Sequence, residues 1–193
     1  MGGIGIWCMH FIGNRSVILS HGESHAQIVY SSGYTAISFF LPIVVLLGAF
    51  YLIGTSESAT RWRITFGGLL AGLAICGMHY VGQLGIANYI CMYDWRNVLG
   101  AGIIAVFDSI VALSVFFSLR AAWTNLWWKR AACGLILASA VSGMHWLATV
   151  GTFYRYRGLS RSARSQLSRE QTVIVVLVLV SCQIVLPLSR YTY

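Results

Sequence analysis

Six apolar runs, separated by short polar breaks, organise the chain: residues 3–19, 34–55, 64–87, 97–119, 131–153 and 171–189. Runs two to six each supply about the 20 residues a helix needs to cross a bilayer. They are continuous rather than alternating, which excludes the inside-outside pattern of a membrane barrel. The pattern predicts an all-α, polytopic membrane bundle of about six spans, forming one domain over residues 1–193. Pro42 falls inside the second run and predicts a kink. The first run has only nine residues ahead of His10, about half a bilayer at 1.5 Å per residue. The expectation is that the first span is incomplete at its N-terminus.

Composition agrees with this pattern. Of the 193 residues, 58% are hydrophobic and 9% charged, against about 25% charged in a soluble domain. Most of the surface must therefore face lipid. The net charge of +8 comes from basic clusters in the polar breaks, which suits lipid headgroups. No aromatic-basic groove for nucleic acid is present. Trp123, Trp127 and Trp128 with Lys129 and Arg130 read as an interfacial anchor. Cys8, Cys76, Cys91, Cys133 and Cys182 do not form a disulfide framework, because four of them lie in apolar runs. The sequon Asn14-Arg15-Ser16 abuts the first run too closely to be used. No cleavable signal peptide is expected, no nucleophile triad, phosphate loop or paired-carboxylate site is recognisable, and no enzyme is expected.

The runs also repeat. A Met-His pair occurs three times, as Met9-His10, Met78-His79 and Met144-His145, at intervals of 69 and 66 residues between histidines. With two spans per interval, successive repeats enter the membrane in the same sense. All three pairs then lie near one membrane face, toward the C-terminal ends of helices one, three and five. Small residues precede the histidines at fourfold spacing: Gly68, Gly72 and Cys76 before His79, and Gly134, Ala138 and Ser142 before His145. Such stripes let helices approach closely in lipid. They predict that helices three and five pack tightly through this face and turn His79 and His145 inward.

A single membrane histidine is more often a hydrogen-bonding residue between helices than a ligand, and a single methionine is core filler. Three pairs in register favour a metal. Imidazole suits copper, zinc and iron, while thioether and thiolate sulfur select copper, above all Cu(I). The candidate site draws on His10, His79 and His145, supported by Met9, Met78, Met144 and Cys76. Cys8, Cys91 and Met92 are weaker candidates. His21 and His25, in the first polar break, stand outside the site. Haem is a rival occupant, since two facing histidines can bind iron axially. Asp108, a carboxylate inside run four, is a candidate for proton relay or for an inter-helix hydrogen bond.

The triplets Met9-His10-Phe11, Met78-His79-Tyr80-Val81 and Met144-His145-Trp146 resemble the repeated motif of the MHYT domain. The wider text (GIWCMHFIGNR, AICGMHYVGQ, LRAAWTNLWWKR, VSGMHW) looks like its fungal branch. The resemblance implies six or seven spans, motifs near the outer face, a copper site, and a sensor of oxygen, carbon monoxide or nitric oxide. It also implies a cytoplasmic signalling partner and a plasma-membrane location. The fourth motif position departs from threonine, being Ile12, Val81 and Leu147. Seven basic residues on the motif side against six on the other give no topological bias. The leading expectation is a copper-binding membrane sensor of a diatomic gas or of redox state. A transporter or proton-conducting protein, or a haem electron-transfer protein, is the alternative. The oligomeric state is left open.

Overall fold

A computed structural model of the protein describes residues 2–19, 27–54, 60–118, 127–157 and 166–189. His21, His25, Arg120, Trp123 and the side chains of Trp127, Lys129, Arg130 and Cys133 lie outside the described residues. Six helices carry the fold: α1 (Gly2–Asn14), α2 (Ser32–Gly54), α3 (Arg61–Leu84), α4 (Trp95–Ser118), α5 (Trp127–Val150) and α6 (Arg169–Ser189). Of these, α2, α3 and α4 are long and apolar enough to cross a membrane. In α5 and α6 the apolar stretches are shorter, Gly134–Val150 and Glu170–Ile184. The expectation of six full spans is thus met by three helices on length and composition. At 13 residues, α1 extends about 20 Å and stops at Asn14, five residues before its apolar run ends. Helix α2 runs on past the buried Pro42, which lies inside it.

The molecule is turned inside out relative to a soluble domain. Ile37, Phe40, Val44 and Leu47 of α2, Leu99, Ile103 and Phe107 of α4, and Leu177 and Val178 of α6 are exposed. His10, Asn14, His79, Gln83 and Asn88 are wholly or almost wholly buried. Lipid as the outer solvent accounts for both observations, because apolar side chains need no shelter from it while polar ones do.

Glycines set the helix spacing. A Cβ on Gly72 would stand 2.5 Å from Val106 Cα, and one on Gly68 would stand 2.7 Å from Ile110 Cα, so α3 and α4 touch backbone to backbone. Gly3 seats α1 on α2 in the same way, at 3.0 Å from the Ile43 nitrogen. The stripe on α5 behaves otherwise. Gly134 has nothing within 4 Å, and Ala138 and Ser142 are exposed. Helix α5 instead packs through Val141, Met144 and Ala148 against Ala101 and Ala105 of α4, with Ile75 of α3 in the same cluster. The stripe argument therefore holds for α3 and fails for α5, which is rotated to bury a different face.

The all-α expectation needs one further correction. Among the described residues, four short strands lie at the motif end: β1 (Tyr30–Ser31), β2 (Tyr89–Tyr93), β3 (Thr152–Tyr156) and β4 (Gln166–Leu167). Strand β2 pairs antiparallel with β3 from Tyr89↔Tyr156 to Tyr93↔Thr152, and β1 pairs with β4. These segments follow the Met-His helices, and their backbone groups must find partners where the helices end. Asn88 ties them together. It accepts from Val29 N at 3.1 Å, donates to Gln27 O at 2.7 Å, and its carbonyl accepts from Arg157 N. The result is a lid of short paired strands at the motif end of the bundle, held to α3 where Gln83 meets Tyr154 and Cys91.

Candidate metal centre

The three histidines come from α1, α3 and α5, each four or five residues before its helix ends. Their rings converge. His10 Nδ1 lies 3.1 Å from His79 Nδ1, which lies 3.2 Å from His145 Nδ1. Ring centroids are separated by 4.8, 5.1 and 5.2 Å, in edge-to-face orientation. His10 and His79 are fully buried and His145 is 7% exposed.

Two glycines make this approach possible. A Cβ on Gly82 would stand 2.5 Å from His10 Nε2, and one on Gly13 would collide with His145 Nε2. Each lies three residues after a motif histidine. The helix carrying one histidine thus provides the hollow for another: α3 receives His10, and α1 receives His145. The equivalent position on α5 is Ala148, which is buried. Four residues after each histidine the repeat places Asn14, Gln83 and Thr149. Asn14 Nδ2 donates to His10 Nε2 at 3.2 Å. Gln83 Nε2 donates to Asn14 Oδ1 at 3.5 Å and to the Tyr154 hydroxyl at 3.3 Å. Thr149 turns back to the His145 carbonyl. Gly13, Asn14, Gly82 and Gln83 were legible as repeat columns downstream of the histidines, although the upstream small-residue column draws attention first.

The donor set fits a transition-metal ion. Imidazole binds such ions at about 2.0–2.1 Å, so two ligand nitrogens on one tetrahedral ion sit about 3.3 Å apart. Among the described His, Cys, Asp and Glu side chains, His10, His79 and His145 form the group whose ligand atoms all lie within 4.8 Å of one another. As neutral imidazoles, the three Nδ1 atoms satisfy one another poorly. His79 Nδ1 faces two neighbours but carries either one proton or one lone pair. His79 Nε2 and His145 Nε2 have no partner among the described residues, which is costly so deep in the fold.

A porphyrin does not fit between these rings. Axial ligands stand on opposite faces of a haem, and nitrogens 3.1 Å apart leave no layer between them. The other candidates lie around the trio. Met78 is fully buried in the cluster of Trp7, Cys8 and Phe11. Met144 is fully buried in the cluster of Ala101 and Ala105, with Met9 and Cys76 packed against its edge. Cys76 Sγ points at the Ala101 carbonyl, 4.0 Å away, and falls outside the three-histidine group. Cys8 is buried against Trp7, whose Nε1 donates to Ser38 Oγ at 3.1 Å. Met92 is exposed on β2. Cys91, also on β2, approaches the Gln83 carbonyl at 3.8 Å, and burial pushes its thiol up to about 11. Asp108 is half-buried on α4 and is not part of the histidine group.

Fold and site together define a helical membrane protein with a buried histidine trio at one end, joined by no carboxylate among the described residues. Comparison with known proteins agrees. The MHYT family, described as "Bacterial signalling protein N terminal repeat", matches residues 3–68 and 72–128, and the chain belongs to it. Among its relatives, the signaling protein YkoW of Bacillus subtilis is 24% identical over 98% of this chain and 23% of its own length. The bifunctional diguanylate cyclase/cyclic di-GMP phosphodiesterase MucR of Pseudomonas aeruginosa is 33% identical over 75% of this chain and 20% of its own length. The chain thus spans less than a quarter of either relative. Both are bacterial, and neither supports assignment to a fungal branch. No solved structure matches.

Proposed function

We propose that this chain is a membrane-embedded sensory domain that binds one copper ion through His10, His79 and His145. The observation that carries the reading is the convergence of three buried Nδ1 atoms, His10 to His79 at 3.1 Å and His79 to His145 at 3.2 Å, with no carboxylate joining them among the described residues. A neutral donor set in a dry site favours a soft, low-charge ion over a hard divalent one. When bound, copper supplies a change of oxidation state or an open coordination position for a diatomic molecule.

The residues themselves supply rigidity and exclusion of water. Gly13 and Gly82 fix the ring positions, Asn14 orients His10, and the Asn88 lid lies at the motif end of the bundle. Met78 and Met144 lie beside the histidines in sequence and furnish thioethers to the surrounding shell, with Met9 and Cys76 as peripheral support. The three histidines come from three different helices, so a change at the ion alters the packing of α1, α3 and α5 together. In this reading all six helices span or enter the plasma membrane, with the motifs toward the outer face. The chain performs no catalysis itself and passes its signal to a cytoplasmic partner. Support for a signalling role comes from the family and from the two relatives.

The test is metal stoichiometry on the purified intact protein, with a visible spectrum. One copper per chain and no Soret band is expected. A Soret band without copper, or no bound metal at all, overturns the reading.

A further inference from the structure

The strand pair β2–β3 has two unlike faces. Cys91 and Tyr154 turn toward α3, where Tyr154 meets Gln83 Nε2 at 3.3 Å and Cys91 approaches the Gln83 carbonyl. The residues between them alternate outward. Ile90, Met92, Phe153 and Arg155 are all exposed. The register sets Met92 opposite Phe153 and Ile90 opposite Arg155, so these four form one continuous outer face. Arg157, the next outward position after Arg155, is exposed as well.

This outer face is graded along the strands. Its apolar end, Met92 and Phe153, lies where β2 runs into α4, which begins at Trp95. Trp95 is exposed, and the exposed Leu99, Ile103 and Phe107 continue from it along α4. The basic end, Arg155 and Arg157, lies away from α4. From Phe153 to Arg157 is four steps along the chain, about 13 Å at about 3.3 Å per residue. The headgroup layer on each side of the hydrocarbon is about 5–8 Å deep, so the face is long enough to reach from acyl chains to phosphates. Apolar and aromatic side chains suit the first level and arginines the second. Charge selects the occupant. Neither β2 nor β3 contains an acidic residue, and Asp94, just after β2, accepts from Arg96 N at 3.0 Å at the start of α4. A second copy docked here would set arginine against arginine with no acid in either strand between them. An anionic headgroup complements both arginines.

We propose that the outer face of β2 and β3 is a docking surface for an anionic glycerophospholipid, with Met92 and Phe153 among the acyl chains and Arg155 and Arg157 on the headgroup. The surface is independent of the ion at the histidines. It is firmly seated, because the inner face of the same strands is bonded to α3 at Gln83.

The experiment reconstitutes the full chain in vesicles of phosphatidylcholine and phosphatidylglycerol, with one lipid or the other brominated in its acyl chains. Bromine quenches indole fluorescence at contact, and the difference between the native chain and Trp95→Phe isolates Trp95. The ratio of the two quenching strengths measures lipid preference at this surface. Phosphatidylglycerol is expected to be favoured at low salt, by about fivefold for each arginine that meets its headgroup. Arg155→Gln and Arg157→Gln each reduce the preference about fivefold, and together they remove it. Arg155→Lys retains it, and Arg61→Gln, at the opposite end of α3, leaves it intact. Equal quenching by the two lipids in the native chain, or a preference that survives the double substitution, overturns the proposal. So does a Trp95 that neither lipid quenches in a chain that cross-links as a dimer through Met92→Cys, which would assign the face to a second copy.

Discussion

Gly82→Ala isolates the site from the fold. The added Cβ would stand 2.5 Å from His10 Nε2 and 3.0 Å from Cδ2, about 0.9 Å inside the nearest ordinary contact. His10 has no room to retreat. His79 Nδ1 lies 3.1 Å from its far side, Phe11 stands edge-on to it, and Asn14 holds Nε2. Either α1 moves off α3 or the ring tilts, by several times the roughly 0.2 Å that a metal site tolerates. Overpacking of this kind costs about 1–3 kcal/mol, which at 1.4 kcal/mol per decade weakens copper binding roughly 5- to 150-fold. The assay is competition for copper against a chelator of known affinity, alongside thermal unfolding with metal removed.

Two further glycines of α3 are the controls. A Cβ on Gly77 meets Leu41 Cδ2 at an ordinary 3.5 Å, so Gly77→Ala keeps native copper affinity and gains up to about 1 kcal/mol of helix stability. A Cβ on Gly72 meets the backbone of α4 at 2.5 Å, so Gly72→Ala weakens the metal-free fold itself. Native affinity in Gly82→Ala, or equal losses in Gly82→Ala and Gly77→Ala, refutes the argument that these glycines are hollows for the imidazoles.

Among the histidines, His79→Ala should abolish stoichiometric copper most completely, because its Nδ1 faces both neighbours. His10→Ala and His145→Ala lose at least tenfold in affinity, and His21→Ala and His25→Ala retain it; comparable losses in all five would contradict the assignment. Asp108→Asn should leave copper content unchanged, whereas proton or metal flux into liposomes that this substitution abolishes would support the transporter alternative. Cys91, with its thiol pushed up to about 11 by burial, should alkylate slowly at pH 8, about tenfold faster per pH unit thereafter; a plateau near the ordinary thiol value of about 8.5 would show that β2 does not bury it.

The three Met-His pairs, their spacing and their common end of the bundle were readable because a duplicated two-helix unit repeats its chemistry in register. That three histidines could serve as ligands to a transition metal was readable because imidazole carries that capacity as a residue type. Which sulfurs stand near the histidines was not, since neighbouring residues point about 100° apart on a helix and the outcome depends on how each helix turns. Thus Met78 and Met144 lie in two different apolar clusters, and Cys76 faces α4. The α5 stripe misled for the same reason: small residues permit close approach but do not choose the neighbour.

The sequence by itself determined that this is a lipid-facing helical protein with three equivalent histidines at one end. Both conclusions follow from composition and period, which act residue by residue. Only the tertiary structure decided that the rings meet nitrogen to nitrogen, that Gly13 and Gly82 hollow out the space, and that Asn14 and Gln83 connect them to Tyr154. Each of those is a contact between elements about 70 or more residues apart in the chain, where the pairing is set by steric fit between surfaces.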